Sequence, residues 1–170
     1  MHDSVRAYVE KHTRKLGHAP AVLEVGALDI NGGVRDLFPG AVQYLGVDLD
    51  PGPGVDLVAD AHELDRLAEV HQDETMAAGR FDLVLCLEML EHDDAPWLTA
   101  GQLCRMVRPG GTVIVTARGN GFPEHNRPDR WRFMRDGIRS LLEDAGLTVK
   151  RLDADPQVSG WFAVCIRPKG

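Results

Sequence analysis

The stretch that most constrains this chain is residues 21–33, Ala-Val-Leu-Glu-Val-Gly-Ala-Leu-Asp-Ile-Asn-Gly-Gly. Val22, Leu23 and Val25 form a short apolar run that stops at Gly26 and passes into polar turn residues. That is how a strand buried on both faces of a parallel sheet reads. Gly26 has no Cβ, so its backbone can come close to a ligand. In open α/β sheets ligands sit beyond the carboxyl ends of the strands, often against a helix N-terminus. The nicotinamide fingerprint needs glycines two and five positions after the first. Leu28 and Asn31 stand there instead, so an oxidoreductase of that kind is a poor reading.

The remaining elements follow the same logic. Residues 3–16 place Val5, Tyr8, Val9, His12 and Leu16 near helical spacing, with Asp3 or Ser4 as a cap, which predicts a helical arm within residues 1–18. Asn31 can cap a short helix through Val34, Arg35, Leu37 and Phe38. Residues 43–48 are a second strand and residues 55–59 a third, with only residues 49–55 between Asp48 and Asp56. A parallel crossover takes about a dozen residues or more, so the fold is expected to lack one helix here. Residues 63–78 read as an exposed helix with Leu64, Leu67, Ala68 and His71 on one face. Residues 81–87 are the most apolar strand, and Pro96 suits the first position of a helix carrying Trp97, Leu98, Leu103, Met106 and Val107. A tight turn at 108–111 precedes a strand at 112–117, and a helix at 137–145 stops at Gly146. Residues 147–152 and 161–166 read as a final antiparallel pair.

Length and charge narrow the class. A chain of 170 residues is expected to form one domain over 1–170. The net charge of −7 argues against a general nucleic-acid binder. No apolar run reaches the roughly 20 residues of a membrane span, and the polar start His2-Asp3-Ser4 does not read as a signal peptide. Cys86, Cys104 and Cys165 are far apart in apolar contexts, as in a reduced, cytoplasmic protein.

Glu24-Val25-Gly26 at a strand end, with Asp48 closing the next strand, resembles motif I of the class I S-adenosylmethionine-dependent methyltransferases. Phe81-Asp82, an apolar strand and then Leu90-Glu91-His92 resemble the type 11 small-molecule methyltransferases, as do Pro109-Gly110-Gly111 and the β-branched strand after it. His125-x-x-Pro128-x-x-Trp131-Arg132-Phe133 resembles a segment found in a branch of that superfamily. Motif I departs from the usual form, because Leu28 and Ile30 replace small residues and the glycine pair moves to Gly32-Gly33.

The resemblance implies a Rossmann-like α/β fold, a seven-stranded mostly parallel sheet with a terminal antiparallel strand and helices on both faces. It implies S-adenosylmethionine as cofactor and a small-molecule acceptor methylated at O, N or C. Carried over residue by residue, it assigns the cofactor site to Glu24, Gly26, Asp48, Leu49, Asp60, Ala61 and Leu87. Asp48 lies 22 residues beyond Gly26, where nucleotide-binding sheets place a carboxylate for ribose hydroxyls. A turn aspartate before Pro51 is the plainer reading, but Asp50 fills that role better, which favours the ribose reading for Asp48. For Asp60, contact with the adenine amino group and capping of the next helix are compatible.

Fewer residues speak for chemistry. None of the seven histidines has the spacing of a metal motif. Glu88, Glu91, His92, Asp93 and Asp94 could hold magnesium, but acids before a helix are favoured by its dipole at about 0.3–1 kcal/mol each. No metal is therefore expected. His125 suits a general base or a residue that pins its loop. His92, Arg127, Trp131 and Arg132 are the candidate substrate residues. The five arginines of residues 118–135 suit an anionic substrate or surface ion pairs. The loop 118–133 is long enough to be a lid over the acceptor. A cofactor-binding but catalytically silent partner protein is the main rival, fed by the altered motif I.

Overall fold

The computed structural model describes residues 2–14, 16, 19–124 and 128–169. Seven strands form one sheet: β1 (Ala21–Val25), β2 (Gln43–Asp48), β3 (Leu57–Val58), β4 (Phe81–Leu87), β5 (Val107–Arg118), β6 (Thr148–Ala154) and β7 (Gly160–Ile166). Their spatial order is β3-β2-β1-β4-β5-β7-β6. β1 pairs in parallel with β2 and β4, β2 with β3, and β4 with β5. β7 alone runs the other way, seated between β5 and β6. This is the mostly parallel sheet with a terminal antiparallel strand that the sequence implied.

Alternation along the strands explains why both faces are covered. Val22, Leu83, Leu85, Ile114 and Phe162 form one buried cluster with Val5, Tyr8 and Val9 of helix α1 (Asp3–Thr13). Leu23, Val25, Val84, Cys86, Val113 and Val115 belong to the opposite cluster. That cluster takes Leu103 and Met106 from helix α3 (Pro96–Met106), and Ile138 and Leu142 from helix α4 (Arg135–Asp144). A side-chain period of two makes each central strand apolar throughout, as the sequence runs suggested.

Three expected elements differ. The exposed helix over 63–78 is broken: a 3-10 segment at Ala61–Arg66, a short α2 (Leu67–His71) and a further 3-10 turn at Glu74–Met76. Gln72 takes a left-handed φ of 52° and ends α2, and the Asp73 carboxylate then accepts from Thr75 N. Such polar side chains compete for backbone groups and stop helices. Residues 34–38 make only a 3-10 turn, Arg35–Leu37, which starts after Val34 with no side-chain cap. So short a segment cannot offset helix nucleation. The turn at 108–111 lies inside β5 as a bulge, since Phe81 faces Val107 while Leu83 faces Thr112.

The connection from β2 to β3 has no helix, as its length required. Asp56 bridges it back to β2: Gly46 N donates to Asp56 Oδ2 at 2.7 Å, and Asp56 N donates to Gly46 O at 2.8 Å. Among the described residues no helix is long and apolar enough to cross a membrane.

Candidate active site

The carboxyl ends of β1, β2 and β4 open into a cavity of about 870 Å³, within the range of small-molecule sites. Backbone bonds between neighbouring strand ends shape its floor. Gly26 N and Ala27 N both donate to Val47 O, at 2.9 and 3.0 Å. Gly26 has φ +79°, and a Cβ there would meet Met89 Cγ at 2.6 Å. Only glycine fits that corner.

Asp48 closes β2 and faces the cavity. Its Oδ2 accepts from Leu28 N at 3.0 Å and its Oδ1 from Asp50 N at 3.2 Å. Each carboxylate oxygen has a second lone pair, so these tethers fix the group and leave it able to accept from a ligand. Glu24 is buried and accepts from the Tyr44 hydroxyl at 2.6 Å. Burial pushes its carboxyl up to about 7, against the pull of that hydrogen bond.

On the far side, Asp60 Oδ1 accepts from His62 N at 2.8 Å, so it does cap the turn that follows. Burial works against a charged His62 ring, but the hydrogen bond to Asp93 and the charges of Asp93, Asp60 and Asp94 outweigh it and raise its pKa. His62, Asp93 and Asp94 offer ligand atoms within 4.8 Å of one another. Asp93 already accepts from Ala95 N at 2.9 Å and Thr99 Oγ1 at 2.6 Å at the start of α3. Those bonds hold the turn that leads into α3.

The third wall is a segment strapped to the turn after β4. Glu91 O accepts from Arg130 N at 2.8 Å and Trp131 N at 3.1 Å. The Arg130 guanidinium donates to His92 O, and the Trp131 indole N–H to Asp93 O, both at 2.7 Å. His92 Nδ1 lies 2.9 Å from Pro128 O; a carbonyl only accepts, so Nδ1 carries the hydrogen. Beneath this wall Arg118 is 1 % exposed. It sits between Glu88 and Asp155, over the ring of Phe122.

Three comparisons bear on what this cavity is. A family model described as a methyltransferase domain matches residues 26–152. The chain belongs to the class I S-adenosylmethionine-dependent methyltransferase family. Within that family it is 34 % identical over 116 residues to a ubiquinone biosynthesis O-methyltransferase of Azotobacter vinelandii, covering 64 % of this chain and 48 % of that protein. The chain thus spans about half the length of the curated relative it matches. Its fold also matches a Burkholderia thailandensis 1,6-didemethyltoxoflavin-N1-methyltransferase solved with S-adenosylhomocysteine (TM-score 0.75, 18 % identity, 98 % of this chain and 78 % of that one). A Haemonchus contortus phosphoethanolamine N-methyltransferase solved with S-adenosyl-L-methionine matches at TM-score 0.67 and 14 % identity, over 96 % of this chain and 52 % of that one.

The methyltransferase-family cavity gathers Glu24, Gly26, Asp48, Leu49, Asp60, Ala61 and Leu87 on its walls, with His92 beside them. Trp131 and Arg132 are elsewhere. Trp131 meets Trp97 edge to face at 6.2 Å, and Arg132 is spent on Asp129 and the carbonyls of Phe122 and Pro123. Both therefore brace the wall from behind. His125 and Arg127 lie outside the described residues. The loop contributes Pro128 and Arg130 to the cavity instead. Reading the sequence missed what Glu88, Glu91 and Arg118 do, because the acids looked like helix-terminal charges and the arginine like a surface cation.

Proposed function

We propose that this chain binds S-adenosylmethionine in the cavity beyond Gly26 and catalyses methyl transfer to a small-molecule acceptor at O, N or C. The observation that carries the reading is the set of hydrogen-bond acceptors on the cavity wall. Glu24, Asp48, Asp60, Glu88 and other carboxylates line the cavity, against Arg130 as the one arginine among the described lining residues. Acceptor-only groups suit a vicinal diol and a ligand bearing cationic centres. Asp48 accepts from the ribose hydroxyls, Asp60 and Ala61 meet the adenine, and Leu49 and Leu87 cover its faces. When bound, the cofactor supplies a methyl carbon already activated on a sulfonium. The protein's work is then alignment and exclusion of water, which can supply several kcal/mol of a barrier.

Residues 118–133 form the acceptor side in this reading, with His125 as the candidate base. Arg118 and Arg132 are tied to carboxylates, so an anionic acceptor relies on Arg130 and on Arg127. The O-methyltransferase names among the relatives favour an oxygen acceptor. No metal and no nucleic acid enter the reading, and the three free thiols support a cytoplasmic setting.

Calorimetry with S-adenosylhomocysteine and NAD tests cofactor choice: the first binds and the second does not. Transfer of a labelled methyl group to a metabolite library tests catalysis. Binding without transfer to any acceptor favours a silent partner protein, a reading fed by Ile30, which is 60 % exposed in the altered motif loop.

A further inference from the structure

Glu88 stands one residue past β4, where that strand's end meets β5, and it lines the cavity. Its backbone takes a left-handed φ of 55°, uncommon for a residue with a long side chain. The Glu88 amide donates to Thr116 O and to Thr116 Oγ1, both at 3.0 Å, which pins this turn to β5. The two carboxylate oxygens then meet different surroundings. Oε1 is sealed against Arg118 Nη2. Oε2 is not sealed and has no protein donor among the described residues, and 17 % of the side chain is exposed. Glu91, three residues on, is the opposite case. It is 0 % exposed with both oxygens sealed, and burial pushes its carboxyl up to about 7.

Charge makes the open oxygen of Glu88 unusual. Arg118 is buried between two carboxylates, Glu88 and Asp155. The Asp155 side chain is wholly buried, with Oδ2 3.3 Å from Arg118 Nη1 and Oδ1 accepting from Gln157 N at 2.9 Å. One acid compensates one buried guanidinium, so the second leaves the group with a surplus negative charge. Asp155 is sealed, and that surplus meets a ligand only through Glu88 Oε2. The neighbouring cations are engaged elsewhere: Arg132 with Asp129, and Arg130 with His92 O.

We propose that Glu88 selects the methyl acceptor, its Oε2 receiving an N–H or O–H from the reacting end of an amine or hydroxyl compound. The inference rests on the cofactor reading above and names the acceptor class. Asp48 closes β2, two strand spacings or about 10 Å from the end of β4. In that reading the adenine and ribose take the Asp60 and Asp48 ends, which leaves the β4 end, with Glu88, for the reacting groups. A carboxylate so fixed repels an anionic reacting end and orients a donor, and orientation is most of what this reaction asks of a protein.

Sinefungin tests the proposal without a known acceptor. In this analogue a carbon bearing a protonated amine replaces the sulfur and its methyl, so N–H donors stand on the reacting side. Wild type and Glu88→Gln are titrated calorimetrically with sinefungin and with S-adenosylhomocysteine, which lacks that amine. The variant is expected to keep S-adenosylhomocysteine affinity within about twofold and to lose at least about tenfold for sinefungin, one ionic hydrogen bond's worth. Equal losses for both ligands place Glu88 on the part of the cofactor they share and overturn the proposal, as does no loss for sinefungin. Should Glu88→Gln fail to fold, Glu88→Asn, which takes a left-handed φ more readily, replaces it and must show the same selective loss. Failure of the wild type to bind S-adenosylhomocysteine overturns the cofactor reading, and this inference with it. Binding without discrimination by the variant overturns this inference alone.

Discussion

The two sides of the cavity are built on different plans. On the side of β1 and β2, backbone amides of one strand-end loop donate to the next strand end: Gly26 and Ala27 to Val47 O, Leu28 to Asp48, Asp29 to Pro53 O. On the side of the loop after β5, the Arg130 and Trp131 side chains reach carbonyls of the turn after β4, and His92 of that turn reaches back to Pro128 O, each across 36 to 38 residues. The first plan follows from strands being neighbours, so any chain with this sheet repeats it. The second depends on particular long side chains and can change without disturbing the sheet. A common cofactor on one side and a variable acceptor on the other need that division.

Gly26→Val should break the first side outright. A left-handed φ and a Cβ within 2.6 Å of Met89 Cγ leave no room. S-adenosylhomocysteine affinity is expected to fall more than about 100-fold in a protein whose circular dichroism is unchanged. Retention of affinity would show that the floor can shift.

Glu91→Gln sharpens the other side through stability. In the folded state this carboxyl's pKa is raised from 4.5 to about 7, so the folded protein holds a proton that the unfolded chain releases. Its contribution therefore declines as pH rises from about 4.5 to about 7 and is flat above. The variant should match wild type near pH 5 and exceed it at pH 8 by an amount on the order of 3 kcal/mol. Urea unfolding at both pH values checks this, and an equal difference at both would contradict it.

Asp48→Ala removes both acceptors and both loop tethers. A loss of about 1.5–3 kcal/mol in S-adenosylhomocysteine binding is expected by calorimetry. If affinity holds while the loop around Leu28 loosens in hydrogen exchange, Asp48 is a tether only. The smallest effect is Trp131→Phe, which deletes one indole donor to Asp93 O and keeps the ring against Trp97. It should cost about 1 kcal/mol of stability and raise amide exchange of residues 128–133, with cofactor affinity unchanged. A change in affinity there would erase the division between the two sides.

The sequence made the first side legible for the same reason that it is built of backbone. Val22, Leu23 and Val25 mark a buried strand, Gly26 its exit, and Asp48 the next strand's end, whatever the intervening side chains do. Residues 63–78 misled because helical spacing of Leu64, Leu67, Ala68 and His71 ignores the polar run from His71 to Thr75 that claims its own backbone. Arg132 and Arg118 looked like cations for a substrate, yet each had a carboxylate waiting, three residues off at Asp129 and 37 residues off at Asp155. Local composition records charge but not its partner. Glu91 is the extreme case, since only tertiary packing turns an acid before a helix into a dry one.

The seat of β7 between β5 and β6 has a consequence for how the protein is made. Along the chain β6 is synthesised before β7, yet the sheet has no place for β6 until β7 lies against β5. A ribosome that has delivered residues 1–159 has therefore produced a β5 with a bare, apolar edge and a β6 with nothing to pair with. Exposed edges of that sort recruit other chains. β7 is the strand that makes β5 and β6 safe, so a translation product that stops before it is expected in inclusion bodies rather than as a smaller soluble domain.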